Sequence, residues 1–198
     1  MDKDKIAIVA SAVFIITASV IVFFAVGNGL ERLSYSAEKL MSGEVHRLFT
    51  FEFTHVTKAH LWENMVALAL VALFALELEL KGWKFFACFM AGSLVVALLE
   101  SPLFPWIMMA GASVGIAALL GLLSIEGRRY IDEYILIPVL LVPIIVKYAS
   151  DVANGRAGDL ANAELAFHFS GFVSGLAFFG ISKKFKRKKR ILQQRVEE

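Results

Sequence analysis

The feature that most constrains this chain is a run of 21 residues without a charge, "IAIVASAVFIITASVIVFFAV" at residues 6–26. An α-helix needs about 20 apolar residues to cross a bilayer. The run exceeds the roughly 7–15 apolar residues of a cleaved signal peptide, and no small-x-small cleavage site follows it. It therefore predicts a membrane-spanning helix that the protein retains.

The rest of the chain repeats this pattern. Further apolar segments lie at about 59–78, 83–100, 103–125, 131–149 and 161–181. Only 19% of the residues are charged, against about 25% in soluble domains. We expect an all-α membrane protein with six transmembrane helices in one domain over residues 1–182. A long outer loop at 27–58 and a basic tail at 183–198 complete the predicted organisation.

The basic residues predict the orientation, because cytoplasmic loops carry an excess of Lys and Arg. Fourteen of the twenty would lie on the side of the two termini. Both termini are therefore predicted to be cytoplasmic, in a multi-pass protein of the cell membrane. The tail "KKFKRKKR" at 183–190 directly follows a span, which indicates contact with anionic lipid headgroups rather than with nucleic acid.

Unusual polar residues lie at similar depth on the three even-numbered spans. His60 and Asn64 are four residues apart and share a helix face on the second span, and Ser113 lies within the fourth. His168 lies about 10 Å below the start of the sixth, at 1.5 Å per residue. Because polar groups in a bilayer usually face a cavity or one another, we expect these four side chains to converge on one cavity open to the exterior.

Such a set suits acyl transfer. A serine hydroxyl is a weak nucleophile that needs a base within hydrogen-bond reach, and His168 is the best candidate. A helix starting near Ser113 would direct its unpaired amide at a developing oxyanion, with His60 and Asn64 as further donors. Small residues at Gly111, Gly115, Gly171 and Gly175 would allow the helices that carry Ser113 and His168 to approach closely.

Three ordered motifs resemble those of the rhomboid family of intramembrane serine proteases. The family pattern is H-x-x-x-N on the second span, G-x-S-G opening the fourth and A-H-x-x-G-x-x-x-G on the sixth. The corresponding stretches here are "HLWEN" (60–64), "GASV" (111–114) and "FHFSGFVSG" (167–175). The resemblance covers about residues 43–180.

The resemblance implies a six-helix fold and a Ser113–His168 dyad without a carboxylate. His60, Asn64 and the Ser113 amide would form the oxyanion hole, and the substrates would be transmembrane segments of other membrane proteins. Two departures stand out. Val114 replaces the glycine that usually follows the serine and would narrow the approach to Ser113, and Phe167 replaces the alanine before the histidine.

Other interpretations remain open at this point. The chain could be a catalytically inactive rhomboid-like protein that binds membrane helices, or a small transporter using the same polar cavity. Glu164, one turn before His168, is expected at the wet outer rim rather than as a third catalytic residue. The spacing of His55 and His60 does not match the H-E-x-x-H zinc motif, and no metal or cofactor is expected.

Overall fold

In the computed structural model, residues 2–26, 29–100, 103–155 and 158–197 are described, with side chains as far as residue 182 except that of residue 100. The described elements are α1 (Lys3–Ala25), α2 (Gly29–Leu33), α3 (Ala37–Met41), α4 (Arg47–Thr50), a 3-10 turn (Phe51–Phe53), α5 (Lys58–Glu77), α6 (Gly82–Glu100), α7 (Ser113–Glu126), a second 3-10 turn (Gly127–Arg129), α8 (Glu133–Ala153) and α9 (Asp159–Glu197). The prediction of an all-helical protein is confirmed.

Within the described residues, five helices are long and apolar enough to cross a membrane: Lys3–Ala25, Lys58–Glu77, Gly82–Leu99, Glu133–Ala153 and Asp159–Ser182. The predicted segment 103–125 differs from these, because its helix begins only at Ser113 and runs for 14 residues, about 21 Å. Pro105 has no backbone N–H to donate, and Gly111 adopts a left-handed φ of 112°. Both features oppose a helix through residues 103–112. The count of six crossings therefore stays a prediction.

The short helix α7 is the centre of the bundle. Every residue from Val114 to Ser124 is buried. The side chains of this stretch are apolar or small, so few of them need a hydrogen-bond partner inside the bundle. By contrast, α8 buries only Leu136, Ile144 and Asp151 among its 21 residues. A helix that is apolar all round is stable only inside a larger core, so α7 depends on its neighbours for its environment, whereas α1 and α8 lie at the periphery.

The closest helix contact is the one between α7 and α9. A Cβ added to Gly175 would overlap the backbone of Ala118, and one added to Gly121 would overlap the backbone of Phe172. A Cβ at Gly171 would lie 2.8 Å from the carbonyl oxygen of Val114. The two helices therefore touch backbone to backbone, which only glycine allows.

Polar contacts join the helices at the opposite end of the bundle from Ser113. Asp4 accepts a hydrogen bond from the Gly82 N–H at 2.9 Å and pairs with Lys81 at 2.7 Å. Lys84, almost fully buried, forms an ion pair with Glu126. These contacts link α1, α6 and α7, so the three helices are held in register at that end.

Helix α9 continues beyond the predicted end of the membrane domain. It runs without a break from Asp159 to Glu197, so residue 182 is not a boundary in secondary structure. The basic side chains of residues 183–190, on which the predicted lipid contact rests, lie outside the described side chains.

The α7–α9 contact leads to a stability prediction. Gly175→Ala should destabilise the protein by about 1–3 kcal/mol, because the new methyl group forces two packed backbones apart. Gly180→Ala is the matched control in the same helix, since nothing lies within 4 Å of its added Cβ. The control should be neutral or should stabilise the protein by up to about 1 kcal/mol, because alanine has a higher helix propensity than glycine. Thermal unfolding in detergent compares the two, and equal midpoints would contradict the prediction.

Candidate active site

The loop that leads into α7 is held by backbone hydrogen bonds at two points. Tyr35 and Met109 exchange two backbone hydrogen bonds, of 3.0 and 2.8 Å. The Gly111 N–H donates to the Phe51 carbonyl oxygen at 3.0 Å. These bonds tie residues 109–111 to the segment between α1 and α5, so the position of Ser113 depends on chain that lies more than 50 residues earlier.

Gly111 brings the first predicted motif next to the second. With its φ of 112°, a Cβ on Gly111 would point at the His60 ring, 2.7 Å from Cε1, and at Asn64, 3.3 Å from Nδ2. His60 and Asn64 therefore both lie against the backbone two residues before Ser113. Any larger residue at 111 would displace them, in addition to the strain of the left-handed conformation.

A helix cap positions His60. Thr57 is the N-cap of α5, and its hydroxyl oxygen accepts a hydrogen bond from the His60 N–H at 3.1 Å. Threonine is a preferred N-cap because it satisfies a donor of the first turn. His60 is thus held in the first turn of α5, and Asn64 follows one turn later on the same face.

Asn64 supplies a free hydrogen-bond donor. The residue is only 5% exposed, and its Nδ2 has no hydrogen-bond partner. Buried polar groups are nearly always paired, so an unpaired one needs an explanation. Ser113, two residues after Gly111, is the first residue of α7 and is partly exposed. Amides of a first helical turn have no intrahelical acceptor.

The register of the two glycine-packed helices places His168 near the loop that leads into α7. Gly171 lies against Val114, and Gly175 lies against Ala118, so α7 and α9 run in the same direction. His168 is one turn before Gly171 and on the same face. The His168 ring is partly exposed, has His60, Lys147 and Asp151 among its titratable neighbours, and lies within hydrogen-bonding reach of the Glu164 backbone.

The four predicted glycines have different surroundings. Gly111 faces His60 and Asn64, whereas Gly171 and Gly175 face α7. Gly115 does not face α9, because its Cβ would meet the Phe89 ring of α6 at 2.6 Å. Gly115 therefore lets α6 approach the first turn of α7, while Gly171 and Gly175 let α9 approach α7 along its first two turns.

The two residues that depart from the rhomboid pattern are both packing residues. Val114 is buried, and its Cγ1 lies 3.3 Å from the position of a Cβ on Gly171. Phe167 is buried and packs edge-on against Phe104, with ring centroids 5.6 Å apart. Val114 thus fills the space that Gly171 leaves, and Phe167 attaches the loop before α7 to α9.

His55 also lies next to the site, which its spacing from His60 in the sequence did not indicate. Its ring lies edge-on to that of His60, with centroids 5.1 Å apart. Burial, aided by the charge of His60, lowers the pKa of His55 to about 4. A neutral His55 therefore packs against His60 near pH 7. Among the described residues, no group of three or more His, Cys, Asp or Glu side chains could hold a metal ion.

Glu52 is buried next to the carbonyl that anchors Gly111. Its carboxyl lies beside the Ser93 hydroxyl without a hydrogen bond of ordinary geometry. Burial raises the pKa of Glu52 well above its usual value, since desolvation disfavours the charged form.

Comparison with known protein families agrees with the motifs. The family model described as "Rhomboid domain" matches residues 42–184, which include all three motifs, the Phe51 anchor, α7 and the glycine-packed part of α9. No curated protein matches the sequence significantly.

Glu52 gives a pH prediction for stability. Because its folded pKa is raised, the neutral acid stabilises the fold fully below the unfolded value near 4.5. That contribution is lost as pH rises toward the folded pKa. Glu52→Gln should therefore stabilise the protein at pH 8 and flatten its dependence of unfolding temperature on pH. Glu63→Gln, at an exposed position of α5, is the control, and identical pH profiles for Glu52→Gln and wild type would contradict the prediction.

Proposed function

The chain belongs to the rhomboid family, and we propose that it is an intramembrane serine protease in which Ser113 and His168 form the catalytic dyad. Rhomboid proteins are generally intramembrane serine proteases, with some inactive members, and the family acts on transmembrane substrates within the bilayer. The family and the long apolar helices identify the chain as an integral membrane protein.

The observation that best supports catalysis is the unpaired Asn64 amide beside Gly111. A buried donor without a partner is costly, but it becomes useful when a substrate oxygen acquires negative charge there. In the proposed site, the first-turn amide of Ser113 and the His60 ring supply the other two donors. Preorganised donors of this kind are the main source of transition-state stabilisation in acyl transfer.

In the proposed reaction, His168 takes the proton from the Ser113 hydroxyl while Oγ attacks the scissile carbonyl carbon. The carbonyl oxygen becomes an oxyanion, which accepts hydrogen bonds from the Ser113 N–H, His60 and Asn64. His168 then gives the proton to the leaving amine as the C–N bond breaks. Water hydrolyses the acyl-enzyme by the reverse sequence of proton transfers, which restores Ser113.

The Glu164 backbone takes the place of a triad carboxylate in this scheme. When one ring nitrogen of His168 donates its proton to a carbonyl oxygen, the other ring nitrogen is left as an acceptor. The Asp of a Ser-His-Asp triad selects the histidine tautomer in the same way. The dyad therefore needs no acidic side chain to select the tautomer of His168. The side chain of Glu164 pairs with Lys147 and contributes no proton.

We further propose six crossings, with α7 as the short one, and both termini in the cytoplasm of a cell-membrane protein. The other helices shield α7 from lipid, so its length does not need to match the bilayer. The site would then open to the exterior. The domain would comprise residues 1–182, and the basic part of α9 would contact anionic lipids after leaving the membrane.

Loss of either dyad residue should abolish cleavage. Ser113→Ala and His168→Ala should each reduce cleavage of a reporter transmembrane segment in proteoliposomes by at least about 10³-fold, as in other serine proteases. Ser124→Ala in the same helix and His46→Ala on the exposed outer segment are the matched controls and should retain activity. Cleavage by Ser113→Ala at the wild-type rate would refute the proposal.

A fluorophosphonate probe separates an active enzyme from an inactive relative. Wild-type protein should become covalently labelled, and Ser113→Ala should not. If folded wild-type protein takes up no label and cuts no reporter, the chain is instead an inactive rhomboid-like protein that binds membrane helices.

The oxyanion donors should affect turnover more than binding. His60→Ala and Asn64→Ala should each lower kcat by about 10–10³-fold, with KM changed much less, because the lost hydrogen bonds form mainly in the transition state. Glu63→Gln, between the two positions, serves as the control. A rise in KM without a fall in kcat would assign both residues to substrate binding instead.

A further inference from the structure

A cluster of charged residues links α8 to the turn of α9 just before His168. Lys147 pairs with Asp151 one turn later in α8 and with Glu164 Oε2 of α9 at 3.6 Å. Next to it, the Tyr148 hydroxyl donates to Asn162 Oδ1 at 3.1 Å. Two neighbouring residues of α8 therefore contact two residues of the first turns of α9.

Glu164 connects this cluster to the general base. Its carboxylate faces Lys147, and its backbone hydrogen-bonds to the His168 ring. His168 and Glu164 are one helical turn apart, so movement of that turn would move the ring. The position of the imidazole thus depends on a contact made by the residue four positions before it.

Helix α8 has few other means of holding that turn in place. It contains Pro138 and Pro143, each of which removes one intrahelical hydrogen bond. Its packing partners are α7 and α9, and large side chains along it, such as Ile145 and Val146, are more than half exposed. A peripheral helix interrupted by prolines holds its register through specific polar contacts more than through buried area.

We propose that Lys147 is a positioning residue: its bridge from Asp151 to Glu164 fixes the α9 turn whose backbone orients His168 toward Ser113. This inference rests on the proposed function. Asp151 is buried and holds the ammonium on one side, whereas Glu164 and Lys147 are each more than a third exposed. A partly solvated ion pair contributes little to stability. Lys147 therefore affects the position of the His168 ring rather than the free energy of unfolding.

The test compares substitutions that keep or remove the bridge. In proteoliposomes, Lys147→Met should lower kcat for the reporter by about tenfold while KM stays within about twofold, since a small misplacement of the base costs rate rather than binding. Lys147→Arg, which keeps a long cationic side chain, should recover kcat to within about threefold of wild type. Labelling of Ser113 by the fluorophosphonate probe should slow in parallel with kcat.

Coupling distinguishes positioning from a general effect on the fold. Glu164→Gln keeps the backbone carbonyl but weakens the ion pair, so Lys147→Met combined with Glu164→Gln should be no slower than Lys147→Met alone. Lys39→Met is the matched control, because Lys39 also pairs with a glutamate at 3.7 Å but lies in the segment between α1 and α5. It should leave kcat unchanged.

The outcomes separate the two proposals. If the wild-type protein cleaves the reporter and takes up the label, but Lys147→Met has the same kcat, the positioning role is overturned and the protease assignment stands. Equal losses in Lys147→Met and Lys147→Arg, or additive losses in the double variant, would also overturn it. A wild-type protein without cleavage or labelling would remove the proposed function and this inference together.

Discussion

The contact on which the rest of the structure depends is the direct backbone packing of α7 against α9. Gly171, Gly175 and Gly121 have no Cβ at the points where the two helices meet. In a bilayer, helices gain no hydrophobic free energy by associating, so close packing and hydrogen bonds supply the attraction. This contact fixes the register of the helices, and His168 lies one turn before the point where Gly171 meets Val114 at the start of α7.

A second set of constraints fixes the other half of the site through the backbone. The Phe51 carbonyl holds Gly111, Tyr35 holds Met109, and the Thr57 hydroxyl caps the turn that carries His60. None of these groups would take part in the chemistry. Their common effect is to place rigid donors around the start of α7, which suits a site that works by preorganisation rather than by rearrangement.

The site also contains polar groups that the fold leaves unsatisfied. Among the described residues, the Asn64 Nδ2 has no hydrogen-bond partner, the His55 ring forms no hydrogen bond of ordinary geometry, and the buried Glu52 carboxyl lacks one as well. Each of these reduces stability, and all three lie close to the loop and the helix turn that carry the motifs. Such groups are typical of functional sites, where the cost in folding free energy is offset by packing elsewhere in the bundle.

The sequence by itself determined the apolar helices, the three motifs and their order, because length, hydropathy and local spacing are recorded in neighbouring residues. The helix break before Ser113 has a local cause as well, in Pro105 and Gly111. Only the tertiary structure decided which partners the glycines face: Gly115 packs on α6, whereas Gly171 and Gly175 pack on α7. The contact of His55 with His60, the burial of Glu52 beside Ser93 and the Lys147–Glu164 bridge to His168 were decided there as well. These contacts join residues on different helices, or on either side of a helix cap, so their distances follow from packing and register and no local pattern in the chain encodes them.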